Sequence, residues 1–264
     1  MEATITLQNL SIGYRSKHQL RVVASCLNAS LVSGQLTCLL GANGIGKSTL
    51  IRTLAGFQPS LDGNILIQGK PLSSYSSHRL AKEVGVVLAT KSDTPMLSVR
   101  EIIGIGRSPY TGFWGRLSAA DDKIVSDAIH QVGIETLADR SLIELSDGER
   151  QKVMIAKALA QQTSIIILDE PTAFLDFPSK IEILQTLRHL AHDNQVTIIL
   201  STHDVELALQ LSDCIWLMEH DNIHNESHLS VGTAEDLASD GSLSRFIERK
   251  GIRFDKRNMR IEIC

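Results

Sequence analysis

The chain lacks any run approaching the roughly 20 consecutive apolar residues that a membrane-crossing helix needs, so it is not expected to cross a bilayer by itself. Its first residues, Met1-Glu2-Ala3-Thr4, have neither a basic start nor a long apolar stretch, and no secretory signal is expected. The four cysteines, Cys26, Cys38, Cys214 and Cys264, lie far apart and make no C-x-x-C pair. Cys38 and Cys214 sit in apolar runs, which suits free thiols in a reducing compartment and not a disulfide framework. Nor is positive charge in excess: the formal net charge is −4, which argues against a nucleic-acid partner held by a global basic field. One local basic cluster, Arg249, Lys250, Arg253, Lys256, Arg257 and Arg260, reads as a solvated face. Internal repeats are absent. What remains is 264 residues, 43% hydrophobic and 21% charged, enough for one large globular domain or two small ones.

The most informative stretch present is Gly41-Ala42-Asn43-Gly44-Ile45-Gly46-Lys47-Ser48-Thr49, which fits G-x-x-x-x-G-K-[ST] without a mismatch. Glycines let backbone wrap closely around a phosphate chain with successive N–H groups pointing at its oxygens. Lys47 can reach the β- and γ-phosphates as a point charge, and the Ser48 hydroxyl can ligate Mg²⁺. The flanks agree. Leu36–Leu40 is an apolar run suited to a buried strand, and Thr49–Ala55 reads as a helix start whose dipole favours an anion.

Strands are predicted at 4–10, 22–29, 36–40, 64–68, 84–88, 165–168, 196–201 and 214–218. Helices are predicted at 48–56, 76–82, 118–132, 147–161, 178–193, 203–211 and 233–248. Their alternation implies an α/β fold with a mostly parallel sheet covered on both sides, joined by an antiparallel sheet from the early strands. Residues 91–160 contain no convincing strand and carry helical signals such as the capping-box pattern Ser118-x-x-Asp121, so they read as an inserted helical subdomain. The polar stretch 219–228 holds three histidines and three acids, but their spacing fits no standard metal site, and a solvated loop is expected.

A second element narrows the chemistry. Ile165-Ile166-Ile167-Leu168 is an apolar strand that ends in Asp169-Glu170. Asp169 can complete a Mg²⁺ site with Ser48, and Glu170 is then placed to take a proton from water attacking the γ-phosphate. The third element, Leu145-Ser146-Asp147-Gly148-Glu149 before a helix, resembles the LSGGQ signature of ATP-binding-cassette (ABC) ATPases. Three more matches follow the order of that family. Ala173-Phe174-Leu175-Asp176 resembles the loop that crosses its dimer interface, Ser201-Thr202-His203-Asp204 its switch-histidine strand end, and Tyr14 the aromatic ring stacked on adenine.

The resemblance covers roughly residues 4–245 and implies a P-loop NTPase fold. Residues 1–90 and 161–245 would form the core with its antiparallel β-subdomain. Residues 91–160 would be the helical subdomain, and 246–264 a C-terminal extension. It also implies that two copies sandwich Mg·ATP. The residues Tyr14, Gly41, Asn43, Gly44, Gly46, Lys47, Ser48 and Thr49 of one copy would face Ser146, Gly148, Glu149 and Asp176 of the other. Asp169 would join Ser48 at the metal, and His203 would hold the γ-phosphate, Glu170 and the attacking water. Two departures stand out. No glutamine occurs between Gln68 and Gln131, although the family carries one where its strand enters the helical subdomain. Ala89 falls at that position, with Thr90, Ser92 or Asp93 as substitutes. Asp147 and Glu149 replace a glycine and a glutamine; Asp147, a cap to the helix, is expected to face away from the triphosphate, and Glu149 to accept from a ribose hydroxyl.

Gly106-Arg107-x-Pro109-Tyr110 with Trp114-Gly115-Arg116-Leu117-Ser118 is similar to the ATPases of iron–siderophore, haem and vitamin B12 importers, where this segment docks a permease helix. The aromatic patch of Tyr110, Phe113 and Trp114 suits such an interface. The resemblance therefore implies a peripheral ATPase on the cytoplasmic face of the inner membrane, serving two permease subunits and, through them, a substrate-binding protein. A soluble ABC ATPase without a transport role, such as an iron–sulfur assembly factor, stays open as an alternative. A DNA-repair or translation ATPase is opposed by the single cassette and the mild negative charge. A catalytically idle cassette is opposed by the intact Lys47, Asp169, Glu170 and His203.

Overall fold

The computed structural model describes residues 3–16, 19–88, 97–221 and 226–263. Its strands are β1 (Ala3–Arg15), β2 (Leu20–Val32), β3 (Leu36–Gly41), β4 (Asp62–Ile67), β5 (Lys70–Pro71), β6 (Val84–Val87), β7 (Ile165–Leu168), β8 (Thr197–Ser201), β9 (Cys214–Asp221), β10 (Glu226–Gly232), β11 (Ile252–Asp255) and β12 (Arg260–Ile263). Its helices are α1 (Lys47–Leu54), α2 (Ser77–Glu83), α3 (Val99–Gly104), α4 (Ala119–Gln131), α5 (Asp147–Ala160), α6 (Phe177–Asn194), α7 (Val205–Leu211), α8 (Ala234–Ser239) and α9 (Ser242–Ile247).

Ten strands make one sheet in the order β5-β4-β1-β2-β10-β9-β3-β8-β7-β6. From β9 to β6 the pairing is parallel, whereas β5, β4, β1 and β2 pair antiparallel. Every residue of β3, β7 and β8 is buried, as strands covered on both faces require. Side-chain alternation then divides the core in two. Leu36, Cys38, Leu40, Ile166 and Leu168 point to the layer holding α3 to α6, while Leu39, Ile165, Ile167 and Trp216 point to the layer holding α1 and the antiparallel strands. Burial of Cys38 among these side chains pushes its thiol pKa up to about 12, which leaves it an inert packing group.

Several of the described elements differ from the predicted segments. Helix α3 was not among them, although Ser98-x-x-Glu101 forms the same capping box as Ser118-x-x-Asp121. The polar stretch expected as a loop at 219–228 is largely strand: β9 runs to Asp221 and β10 starts at Glu226, pairing antiparallel with β9 and by one parallel bridge with β2. Among the described residues no group of His, Cys, Asp or Glu is arranged to hold a metal ion. The helix predicted at 233–248 breaks at Gly241, whose φ of +82° lies in the left-handed region that ends one helix and starts the next. The basic C-terminal cluster is exposed, as expected, and it decorates a β11–β12 hairpin anchored by buried Phe254. Residues 89–93, where the missing glutamine and its substitutes fall, lie outside the described residues. Among the described residues no helix is long and apolar enough to cross a membrane.

Candidate active site

Three neighbouring parallel strands, β3, β8 and β7, end on the same edge of the sheet, where open α/β sheets place their ligands. The loop leaving β3 turns on glycines for identifiable reasons. A Cβ on Gly41 (φ +154°) would sit 2.8 Å from the Met218 carbonyl oxygen, and one on Gly46 (φ +120°) would sit 2.4 Å from Cγ1 of Val23. The loop delivers Lys47 into the first turn of α1. Its Nζ donates to the carbonyl oxygens of Gly41 (2.8 Å) and Ala42 (3.2 Å) and lies 3.5 Å from Nδ1 of His203. Burial lowers the Lys47 pKa, and the carboxylates of Glu170 and Asp169 oppose that shift. No side chain caps α1 at Gly46 and no acid stands in its first turn, so its leading N–H groups remain open to an anion.

The acidic pair leaves β7 opposite this cradle. The Ser48 hydroxyl donates to Oδ1 of Asp169 at 3.2 Å, and the Ser201 hydroxyl, at the end of β8, donates to the same oxygen at 2.7 Å. Glu170 adopts a left-handed backbone (φ +50°), a conformation costing a non-glycine residue about 1 kcal/mol or more. Its N–H donates to the Ser201 hydroxyl at 2.9 Å, and its Oε1 lies 2.5 Å from Nε2 of His203. Ser48 and Asp169 thus offer two oxygens to one point, a donor set suited to a hard divalent cation such as Mg²⁺.

Lys47, Ser48, Glu170 and His203 line a cleft of about 260 Å³, with Tyr14, Thr49 and Asn43 on its rim. The half-exposed Tyr14 lines the cleft with its hydroxyl held 2.9 Å from Oγ1 of Thr49. Gly44 and Gly46 also line the cleft, while Gly41 and Asp169 stand behind it. Arg21 and Val23 are lining residues that sequence reasoning missed. Arg21 pairs directly with Tyr14 across β1–β2, so the strand register carried the only signal. A larger hollow of about 390 Å³ beside Phe57, Leu72 and Leu80 has no charged side chain in its lining and cannot be the phosphate site.

The predicted signature residues lie elsewhere. Among the described residues no hydrogen bond or ion pair joins Ser146–Glu149 to the cradle. Ser146, and not Asp147, is the N-cap of α5. Its N–H and its hydroxyl both donate to Oε2 of Glu149 at 2.8 Å, and its Oγ accepts from the Glu149 N–H at 3.3 Å. These bonds hold the Glu149 carboxyl below the usual range, Ser146 N–H first and its hydroxyl second. Asp147 turns toward Arg150, 3.7 Å away. Gly148 packs near Ser179, and Asp176 caps α6 by accepting from the Ser179 N–H at 3.3 Å. Beside it Phe174 is 86% exposed in a left-handed backbone (φ +65°).

Arg107, expected at a docking surface, is buried. Its Nε donates to Asp121 at 2.9 Å and its Nη1 to the Ala160 carbonyl at 2.8 Å, with the guanidinium 4.1 Å from the Tyr110 ring centre. The residue therefore ties α4 to the end of α5. Ser118, by its hydroxyl and N–H, and then Arg107 hold the Asp121 carboxyl down at about 2. Phe113 and Trp114, by contrast, are 96% and 83% exposed and stack edge to face.

A family model described as ABC transporter matches residues 25–173. An ABC transporter ATP-binding protein of Methanocaldococcus jannaschii, itself uncharacterized, is 39% identical over 94% of this chain and 83% of its own length. The ferric enterobactin transport ATP-binding protein FepC of Escherichia coli is 34% identical over 86% of this chain and 83% of its own. Among solved structures, CbiO1 of Clostridium perfringens, part of the ABC transporter complex CbiONQ, superposes with a TM-score of 0.78 at 27% identity, covering 93% of this chain and 94% of its own.

Proposed function

The chain belongs to the ABC transporter family as an ATP-hydrolysing subunit, and we propose that it powers import of an iron chelate, haem or cobalamin through a separate permease. The observation that carries the catalytic part is the meeting of Lys47, Ser48, Glu170 and His203 in one cleft, drawn from three separate stretches of chain. Tyr14 stacks on adenine, while Gly44, Gly46 and Lys47 cradle the phosphates. Ser48 and Asp169 would hold Mg²⁺, which when bound would supply charge neutralisation on the triphosphate. Glu170 accepts the proton of the attacking water, and His203 holds Glu170 and donates to the γ-phosphate.

The second half of the site comes from another copy. Ser146, Gly148, Glu149 and Asp176 sit away from the cleft of their own chain, and each chain has one cradle and one signature. Two chains therefore make two composite sites. Residues 91–160 act as the helical subdomain that transmits closure, and 246–264 as an extension beyond the ATPase domain of residues 1–245. Tyr110, Phe113 and Trp114 are the exposed aromatic part of the surface that meets a permease subunit on the cytoplasmic face of the membrane, with a substrate-binding protein beyond it. A relative named for ferric enterobactin transport favours the importer over a soluble assembly factor.

Glu170→Gln tests the catalytic assignment. Turnover should fall by about a hundredfold or more, the range of general base catalysis, with ATP affinity kept within about twofold. Turnover near the wild-type rate would remove Glu170 from the role of base.

A further inference from the structure

Ser201 is fully buried at the end of β8, yet its hydroxyl is used twice. It donates its one proton to Oδ1 of Asp169 (2.7 Å) and accepts the backbone N–H of Glu170 (2.9 Å). The parallel register, with Leu168 beside Leu200, brings Ser201 to the point where β7 gives way to the acidic pair. One side chain thus links the oxygen proposed for the metal to the backbone of the proposed base. The base is also the residue in the left-handed conformation, a state that persists only where its surroundings hold it. Among the described residues the other hydroxyl on Asp169 belongs to Ser48 at 3.2 Å and is itself assigned to the metal. Ser201 is therefore the protein donor that stays with Asp169 when Ser48 is engaged.

We infer that Ser201 is a positioning residue that sets the spacing of Asp169 and Glu170, so that metal and base are aligned on one triphosphate. It is fully buried and is not part of the cleft lining. The inference rests on the catalytic reading of Asp169 and Glu170, and it adds a requirement which that reading does not contain. Loss of an outer-shell partner of a metal ligand lowers metal affinity or activity by roughly ten- to a hundredfold.

The test compares Ser201→Ala, Ser201→Cys and Ser201→Thr in the full chain. The thiol nearly preserves packing but is a weak donor, whereas Thr keeps the hydroxyl. Ala and Cys should lower kcat by roughly ten- to a hundredfold, with the KM for ATP within about twofold. Mn²⁺ affinity of the ADP complex, read by electron paramagnetic resonance without turnover, should weaken by at least several-fold. Nucleotide affinity without metal should be unchanged, and Thr should recover most of both losses. Should Ala fail to fold, Cys and Thr carry the comparison. The inference is overturned by a Cys variant with wild-type kcat and Mn²⁺ affinity, or by a folded Thr variant as impaired as Cys. Equal loss of metal-free nucleotide affinity would overturn it too, because that indicates general damage to the cleft. Glu170→Gln run alongside separates the two ideas: its turnover collapses if the catalytic reading holds, whatever Ser201 does.

Discussion

Two helix tips in this protein are proposed to meet phosphate, and they are built in opposite states. The tip of α1 has a glycine N-cap, no capping side chain and no acid in its first turn. The tip of α5 has a complete capping box and two acids, Asp147 and Glu149, in its first turn. At α1 the N–H groups and Lys47 await an anion, and the wall facing them is already assembled through Ser48–Asp169 and Glu170–His203. At α5 the Ser146 donors already hold an anion, the carboxylate of Glu149. On the proposed function, the α1 tip is free for nucleotide in a lone chain, whereas the α5 tip of a second copy can give its Ser146 donors to a triphosphate only by releasing the Glu149 carboxylate.

The comparison can be broken most severely at α1. Lys47→Ala removes a buried charge aimed into the cleft, and charge-assisted hydrogen bonds of about 1.5–3 kcal/mol correspond to roughly tenfold or more in affinity. Equilibrium binding of ATP should show that loss, and unchanged affinity would contradict the cradle. Ser146→Ala acts at the other tip. Losing the cap should cost about 1 kcal/mol of stability, visible in denaturant unfolding. ATP binding to the monomer should be unchanged while turnover falls, and a parallel loss of monomer affinity would show that the two tips are not separate in role. The smallest effect is expected from Glu149→Gln, which keeps the capping geometry and removes an exposed charge. Gln also keeps the acceptor proposed for a ribose hydroxyl, and surface charge interactions are worth about 0.2–1 kcal/mol, so the ATP concentration for half-maximal turnover should fall by about 1.4- to fivefold. A rise in that concentration would mean that the negative charge of Glu149 itself favours nucleotide.

The α1 side was largely legible in the sequence because its chemistry is local. Glycine spacing, an apolar strand and a terminal acidic pair each declare themselves within ten residues. Residues that join the site through strand register do not. Arg21 enters because it lies opposite Tyr14, and Ser201 because β8 lies beside β7. The segment from Gly106 to Tyr110 shows the reverse problem. Its pattern pointed to a docking surface, but Arg107 is spent on an internal link between α4 and α5, and the exposed aromatics are Tyr110 at its end and the neighbouring Phe113 and Trp114. Strand β10 was hidden by polarity, since Glu226, Ser227, His228 and Ser230 break the apolar alternation that marks a half-buried strand. The split between α8 and α9 was readable at Gly241, and the start of α3 at the capping box of Ser98 and Glu101; both are signals of one or two residues inside longer patterns.

The central claim is that the two tips meet only between copies, across ATP. The most direct measurement is the mass in solution of the Glu170→Gln protein with and without saturating Mg·ATP, by light scattering. A monomer that becomes a dimer with nucleotide, and fails to do so when Ser146→Ala is added, is the predicted result. A protein that binds ATP tightly and stays monomeric at every concentration contradicts the account.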